Sequence, residues 1–232
     1  RVALVAFRNR EAELVLEPTR SLARAKRALA GLAGGGATPL ARGIDAALAT
    51  ADAVRRKGED PAIVLLTDGM ANVGPSSLAE IGPDVAEAAR LGVSTTTLGF
   101  GVSYDEDLLR GRADAGLGEY VYIEDASQLV SVYERELAGL SALRGRNVRL
   151  RVGGAEARLA LVGRAMVPGM GPGPGSVAPP DQGELALPDL VAGLPRELLV
   201  RARFDADGAA AVTGGAPKLV LAWDDLLTGE HD

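Results

Sequence analysis

Two short stretches hold residues whose types and spacing suit a hard divalent cation. In GGGATPL, Gly34 to Leu40, Thr38 offers a hydroxyl at the start of a helix. In PAIVLLTDG, Pro61 to Gly69, Asp68 offers a carboxylate where a strand gives way to its loop. Hydroxyl and carboxylate oxygens are the ligands that Mg2+, Mn2+ and Ca2+ prefer. The three glycines let the backbone turn tightly, Thr38 suits the N-cap, and Pro39 suits the first helical position. Each residue also has a simpler reading, Thr38 as a plain helix cap and Asp68-Gly69 as a turn pair. A phosphate cradle is discounted, because no Gly-Lys-Ser/Thr follows the glycines.

The elements that must position these groups are legible in the pattern around them. Ala62 to Leu66 is an unbroken apolar run, too short for a helix, which predicts a central strand buried on both faces of a parallel sheet. Its C-terminal end is the edge at which open α/β sheets bind ligands. Upstream, RVALVAF and AELVLEP read as an antiparallel hairpin at a sheet edge. A helix capped by Thr19 or Ser21 runs to about Ala33, with Leu22, Ala25, Leu29 and Leu32 toward the core. A second helix spans Pro39 to Lys57 and stops at Gly58. After Asp68 the pattern gives a segment interrupted at Gly82-Pro83 and a helix from Asp84 to Leu91. A strand over Val93 to Gly101 and a helix capped by Ser103 follow. EYVYIED then reads as a strand, followed by a helix capped by Asp125 or Ser127. Strands alternating with helices make an α/β domain with a mostly parallel, Rossmann-like sheet.

Beyond Leu143 the period shortens to two. NVRLRV, EARLALVGR, RELLVRARF and PKLVLAW read as half-buried antiparallel strands, interrupted by a Gly/Pro loop at 168–180. The expected organisation is therefore an α/β domain over 1–143 and a small antiparallel β module over 144–232, in which Trp223 packs and Asp224-Asp225 turn toward the tail.

Composition narrows the chemistry. The 232 residues include no cysteine and one histidine, His231, at the extreme C-terminal end, so thiolate or imidazole metal sites and His-based catalysis are excluded. The net charge of −6 with interleaved signs argues against a nucleic-acid footprint. No apolar run reaches the roughly 20 residues of a membrane span. No nucleophile–base pair is evident, so the chain is not expected to be an enzyme in its own right.

GGGATPL followed by VLLTDG, with LGFG, DEDLL and YVYIED further on, resembles the von Willebrand factor A domain. RVALVAF, AELVLEPTRSLARAKRALAGL and GGGATPL are also similar to the carboxy-terminal A-type domain of the larger AAA+ subunit of magnesium chelatase. The later motifs and the closing WDDLLTGE are closer to bacterial A-domain proteins with a β-rich extension. The resemblance implies a metal-ion-dependent adhesion site built from an Asp-x-Ser-x-Ser loop, a Thr and an Asp, with Thr38 and Asp68 matching the last two. The first element has no counterpart, so the chain is expected to be N-terminally truncated, lacking the first strand and its loop. Asp125-Ala-Ser127 mimics half of that loop, but a helix cap explains it better. The implied function is a protein-binding module in which a divalent cation, Mg2+ foremost with Mn2+ or Ca2+ as alternatives, bridges to an Asp or Glu carboxylate of a partner. The alternative is an accessory unit of an AAA+ ATPase machine such as a metal chelatase. The compartment stays open between cell envelope and cytoplasm.

Overall fold

The computed structural model describes residues 1–56, 61–153, 157–164, 184–193, 198–204 and 218–226. The Gly/Pro loop at 168–180, the Gly58 stop and His231 lie outside these residues. By compactness the chain divides into Arg1–Leu129 and Val130–Asp232.

In the first unit, β1 (Val2–Arg8) and β2 (Glu11–Thr19) form an antiparallel hairpin closed by Asn9 and Arg10. Asn9 takes a positive φ of 57°, a conformation that asparagine tolerates better than most residues. α1 (Leu22–Ala30) is capped by Ser21, whose hydroxyl accepts from the Arg24 N–H. α2 (Leu40–Arg55) follows the glycine-rich loop, and its Gly43 lets it close on β1, since a Cβ there would stand 2.6 Å from the Phe7 ring.

β3 (Ala62–Thr67), β4 (Ser94–Phe100) and β5 (Leu117–Ile123) form a parallel sheet in that order. The crossovers are α3 (Leu78–Arg90) and α4 (Glu106–Ala115). Leu40, Ala41, Ile44, Leu65, Val85, Leu108 and Leu109 make the core between α2, α3, α4 and the sheet. Gly118 is required by proximity: a Cβ there would stand 2.1 Å from the Thr95 carbonyl oxygen. Leu117 before it has a φ of 53°.

Several expectations are corrected. β3 is an edge strand, not the central one, and only Leu65 and Thr67 on it are fully buried. Among the described residues, β1 and β3 each leave one edge without a paired strand, because the hairpin forms a sheet of its own. Leu22, Leu29 and Leu32 are 68%, 55% and 38% exposed, so the apolar stripe of α1 is not core. An amphipathic pattern says which face is apolar, not that something covers it. α3 runs unbroken through Pro83, because its start is fixed upstream: Glu80 Oε2 accepts from the Ser77 N–H at 3.1 Å and from the Ser77 hydroxyl at 2.6 Å. α4 is capped by Asp105, whose Oδ1 accepts from the Leu108 N–H at 2.9 Å, not by Ser103.

α5 (Ser127–Ser141) spans the division between the units, so the compact units part within this helix, upstream of the expected change at 143. The second unit is antiparallel. β6 (Leu143–Gly153) pairs with β11 (Lys218–Asp225), β8 (Glu184–Ala186) and β9 (Leu190–Val191), while β7 (Ala157–Arg164) pairs with β10 (Leu198–Phe204). Val148, Leu150, Val152, Leu185 and Leu187 form its core, with Trp223 packed against them. Asp224 and Asp225 belong to β11 rather than to a turn, and Asn147 Nδ2 donates to Asp224 at 2.5 Å.

Candidate functional site

The site is built at the C-terminal edge of the parallel sheet. β3 ends in Thr67, whose hydroxyl and the backbone of Gly69 hydrogen-bond at 3.3 to 3.4 Å, fixing a tight turn about Asp68. Asp68 is exposed, and its carboxylate makes no hydrogen bond or ion pair among the described residues. The second oxygen comes from the loop between α1 and α2. A Cβ on Gly69 would stand 3.0 Å from Thr38 Oγ1, so the hydroxyl lies against the residue next to Asp68. The two stretches singled out in the sequence thus meet.

The expectation that Thr38 caps α2 is corrected. The helix begins at Leu40, its N-cap is Pro39, and no side-chain capping bond is made. The Thr38 hydroxyl is left without a protein hydrogen bond among the described residues. The glycine loop around it is instead held from both sides. Asn9 Oδ1 accepts from the Gly36 N–H at 3.1 Å, and Arg8 Nη1 donates to the Ala33 carbonyl at 2.7 Å. Asn72 Oδ1 accepts from the Thr38 N–H at 2.8 Å, while the Asn72 N–H donates to the Thr38 carbonyl at 3.4 Å. Gly35 is required here, since a Cβ would stand 2.6 Å from Arg8 Cβ.

Asn9 and Asn72 brace this loop, a role that their positions in the sequence do not assign. The signal for Asn72 was only its closeness to Asp68, for its partner is 34 residues away. Asp125 does not substitute for a missing metal loop. Its Oδ1 accepts from the Ser127 N–H at 2.7 Å, and these hydrogen bonds lower its pKa. Among the described residues no three acidic or imidazole side chains cluster, so any metal here would be held by a mixed hydroxyl and carboxylate set.

Tyr104 and Tyr120 pack on the same core cluster as Leu40, together with Ala71. Their hydroxyls hydrogen-bond at 2.7 Å, and the Arg110 guanidinium lies 4.7 Å from the Tyr120 ring centre. Burial first, then the Tyr104 hydrogen bond, raises the Tyr120 pKa, so the pair stays neutral at physiological pH.

Residues 1–71 match the family model for the von Willebrand factor type A domain. The N-terminal third of the chain is thus similar to von Willebrand factor A-type domains. The solved structures agree on the fold: a von Willebrand factor type A protein from Catenulispora acidiphila superposes with a TM-score of 0.57 at 20% identity, covering 95% of this chain and 56% of that one. The ArnB paralog VWA2 from Sulfolobus acidocaldarius gives 0.50 at 16% identity, covering 99% and 52%. In sequence, the chain is similar to magnesium chelatase subunits. It is 48% identical over 93 residues to the 60 kDa subunit of Cereibacter sphaeroides, 40% of this chain and 17% of that protein. To the 67 kDa subunit of Heliobacterium mobile it is 30% identical over 158 residues, 62% of this chain and 23% of that protein. The chain thus spans less than a quarter of the chelatase subunits it matches. Among the described residues no helix is long and apolar enough to cross a membrane.

Proposed function

We propose that the A-type unit is a metal-ion-dependent protein-binding module. Thr38 Oγ1 and the Asp68 carboxylate hold a divalent cation, Mg2+ foremost, and a partner's Asp or Glu carboxylate completes its coordination. The observation that carries this reading is the juxtaposition of two oxygen groups, both without hydrogen-bond partners among the described residues, at the ligand edge of a parallel sheet. Hard cations take six or more oxygens, so two protein ligands hold one weakly, with a Kd on the order of a millimolar. The open edges of β1 and β3 suggest where further donors enter: a strand seated between them would carry its following loop to Asp68. The cation would supply charge and direction toward a partner carboxylate, and surrounding loops the specificity.

A second reading is supported by the chelatase likeness. Here the same edge docks an AAA+ ATPase as an accessory unit of a metal chelatase or related machine. Binding of the 232-residue chain to an immobilised AAA+ chelatase subunit, with and without EDTA, separates the two. Metal-dependent capture supports the accessory role, and its absence leaves the carboxylate-binding module. Loss of Mn2+ binding in Asp68→Ala supports the shared site, and unchanged Mn2+ binding in that variant refutes it.

A further inference from the structure

We infer that Asn72 is a positioning residue that fixes the Thr38 hydroxyl beside Asp68, an inference that rests on the metal-binding reading above. The loop that carries Thr38 contains Gly34, Gly35 and Gly36, and glycine leaves the backbone more conformations than any other residue. A hydroxyl on such a loop would sample many positions unless something orders the peptide units on either side of it. Asn72 does this with two bonds at once. Its Oδ1 accepts from the Thr38 N–H at 2.8 Å, and its own N–H donates to the Thr38 carbonyl at 3.4 Å. Both polar groups of Thr38's backbone are thereby tied to the loop that contains Asp68.

With the N–H and the carbonyl of one residue held, its Cα–Cβ direction is fixed, and Thr38 Oγ1 points at Gly69. The atom facing the Thr38 N–H must be the amide oxygen, since an NH2 group has nothing to accept with. Among the described residues the hydroxyl has no hydrogen-bond partner, which leaves its lone pairs open to a cation. Asn9 braces the same loop from the hairpin side through the Gly36 N–H, but it touches neither backbone group of Thr38. The coupling between the two metal-site loops therefore passes through Asn72. Removing such an outer partner of a ligand costs 10- to 100-fold in metal affinity.

The test combines two readouts on the parent chain and on Asn72→Ala and Asn72→Asp. The first is hydrogen exchange of the Thr38 amide in metal-free solution. The second is Mn2+ affinity, read from paramagnetic broadening. In the parent the Thr38 amide is protected. Asn72→Ala exposes it, exchanging at least about tenfold faster, and weakens Mn2+ about 10- to 100-fold with an unchanged thermal midpoint. Asn72→Asp keeps the acceptor and restores both. Unaltered Thr38 exchange in Asn72→Ala overturns the inference, and so does parental Mn2+ affinity in that variant. If the parent chain itself shows no Mn2+ broadening at residues 38, 68 and 69, the metal reading has failed. The amide measurement would then still decide whether Asn72 orders the loop.

Discussion

Replacing Arg112 with Met should stabilise the A-type unit. Arg112 lies on α4 at a position the helix turns fully inward, with 0% of its surface exposed. None of its guanidinium nitrogens has a hydrogen-bond partner among the described residues. Burial, opposed only by the charge of Asp105, pushes its pKa well below the ordinary arginine value, to about 10. Each pKa unit is about 1.4 kcal/mol, so the buried cation costs on the order of 3 kcal/mol relative to the unfolded chain. Methionine matches the length of the stem without the charge, and such replacements of buried ions are stabilising by roughly 1–4 kcal/mol. At about 4 °C per kcal/mol for a unit of this size, the midpoint should rise on the order of 10 °C. The sign with pH follows from a folded pKa below the unfolded one. The penalty is full below pH 10 and fades as pH climbs above about 10 toward the ordinary arginine value, because the folded state loses its proton first. The advantage of Arg112→Met should therefore be constant between pH 6 and 9 and shrink above pH 10. The raised tyrosine pKa values affect both proteins alike and cancel in the difference. Differential scanning calorimetry of both proteins across this range is the assay. A variant equal to or less stable than the parent at pH 7 refutes the reasoning.

Gly118→Ala would drive a Cβ to 2.1 Å from the Thr95 carbonyl and part β4 from β5, lowering unfolding stability in urea by about 3 kcal/mol. Leu29→Glu and Val130→Lys, at positions 55% and 65% exposed, should leave stability within about 0.5 kcal/mol, a test of the corrected face of α1 and of the exposed face of α5. The Glu80 carboxyl, held down first by the Ser77 hydroxyl, should titrate below the ordinary glutamate range by NMR and rise only part of the way back in Ser77→Ala, since the N–H groups of residues 76 and 77 still donate to it. Its folded pKa is the lower one, so the helix-capping contribution is present above the unfolded pKa and lost as pH falls through the folded value.

Local pattern carried the alternation of strands and helices well. The apolar runs at Ala62 and Val93 and the period-two stretches after Leu143 all became strands, because strand burial is written in consecutive residues. What failed depended on distant neighbours. The stripe expected to face the core along α1, Leu22 and Leu29 with Leu32 just beyond its end, remains exposed. The spacing marks an apolar face whether or not a neighbour is present. Asp105 outcompeted Ser103 as a cap, and the Ser77–Glu80 box outweighed the Gly82-Pro83 interruption, so a stronger local signal was overlooked each time. Thr38 and Asp68 were legible through their types and element ends. Asn72 was not, since only the folded chain shows that its amide meets a backbone 34 residues earlier.

The most direct test of the metal site is an Mn2+ titration of the 232-residue chain followed by NMR. Selective broadening of the amides of Thr38, Asp68 and Gly69, reversed by excess Mg2+ and absent in Asp68→Ala, is the predicted result. Broadening spread over the acidic surface, or unchanged in Asp68→Ala, would contradict the account.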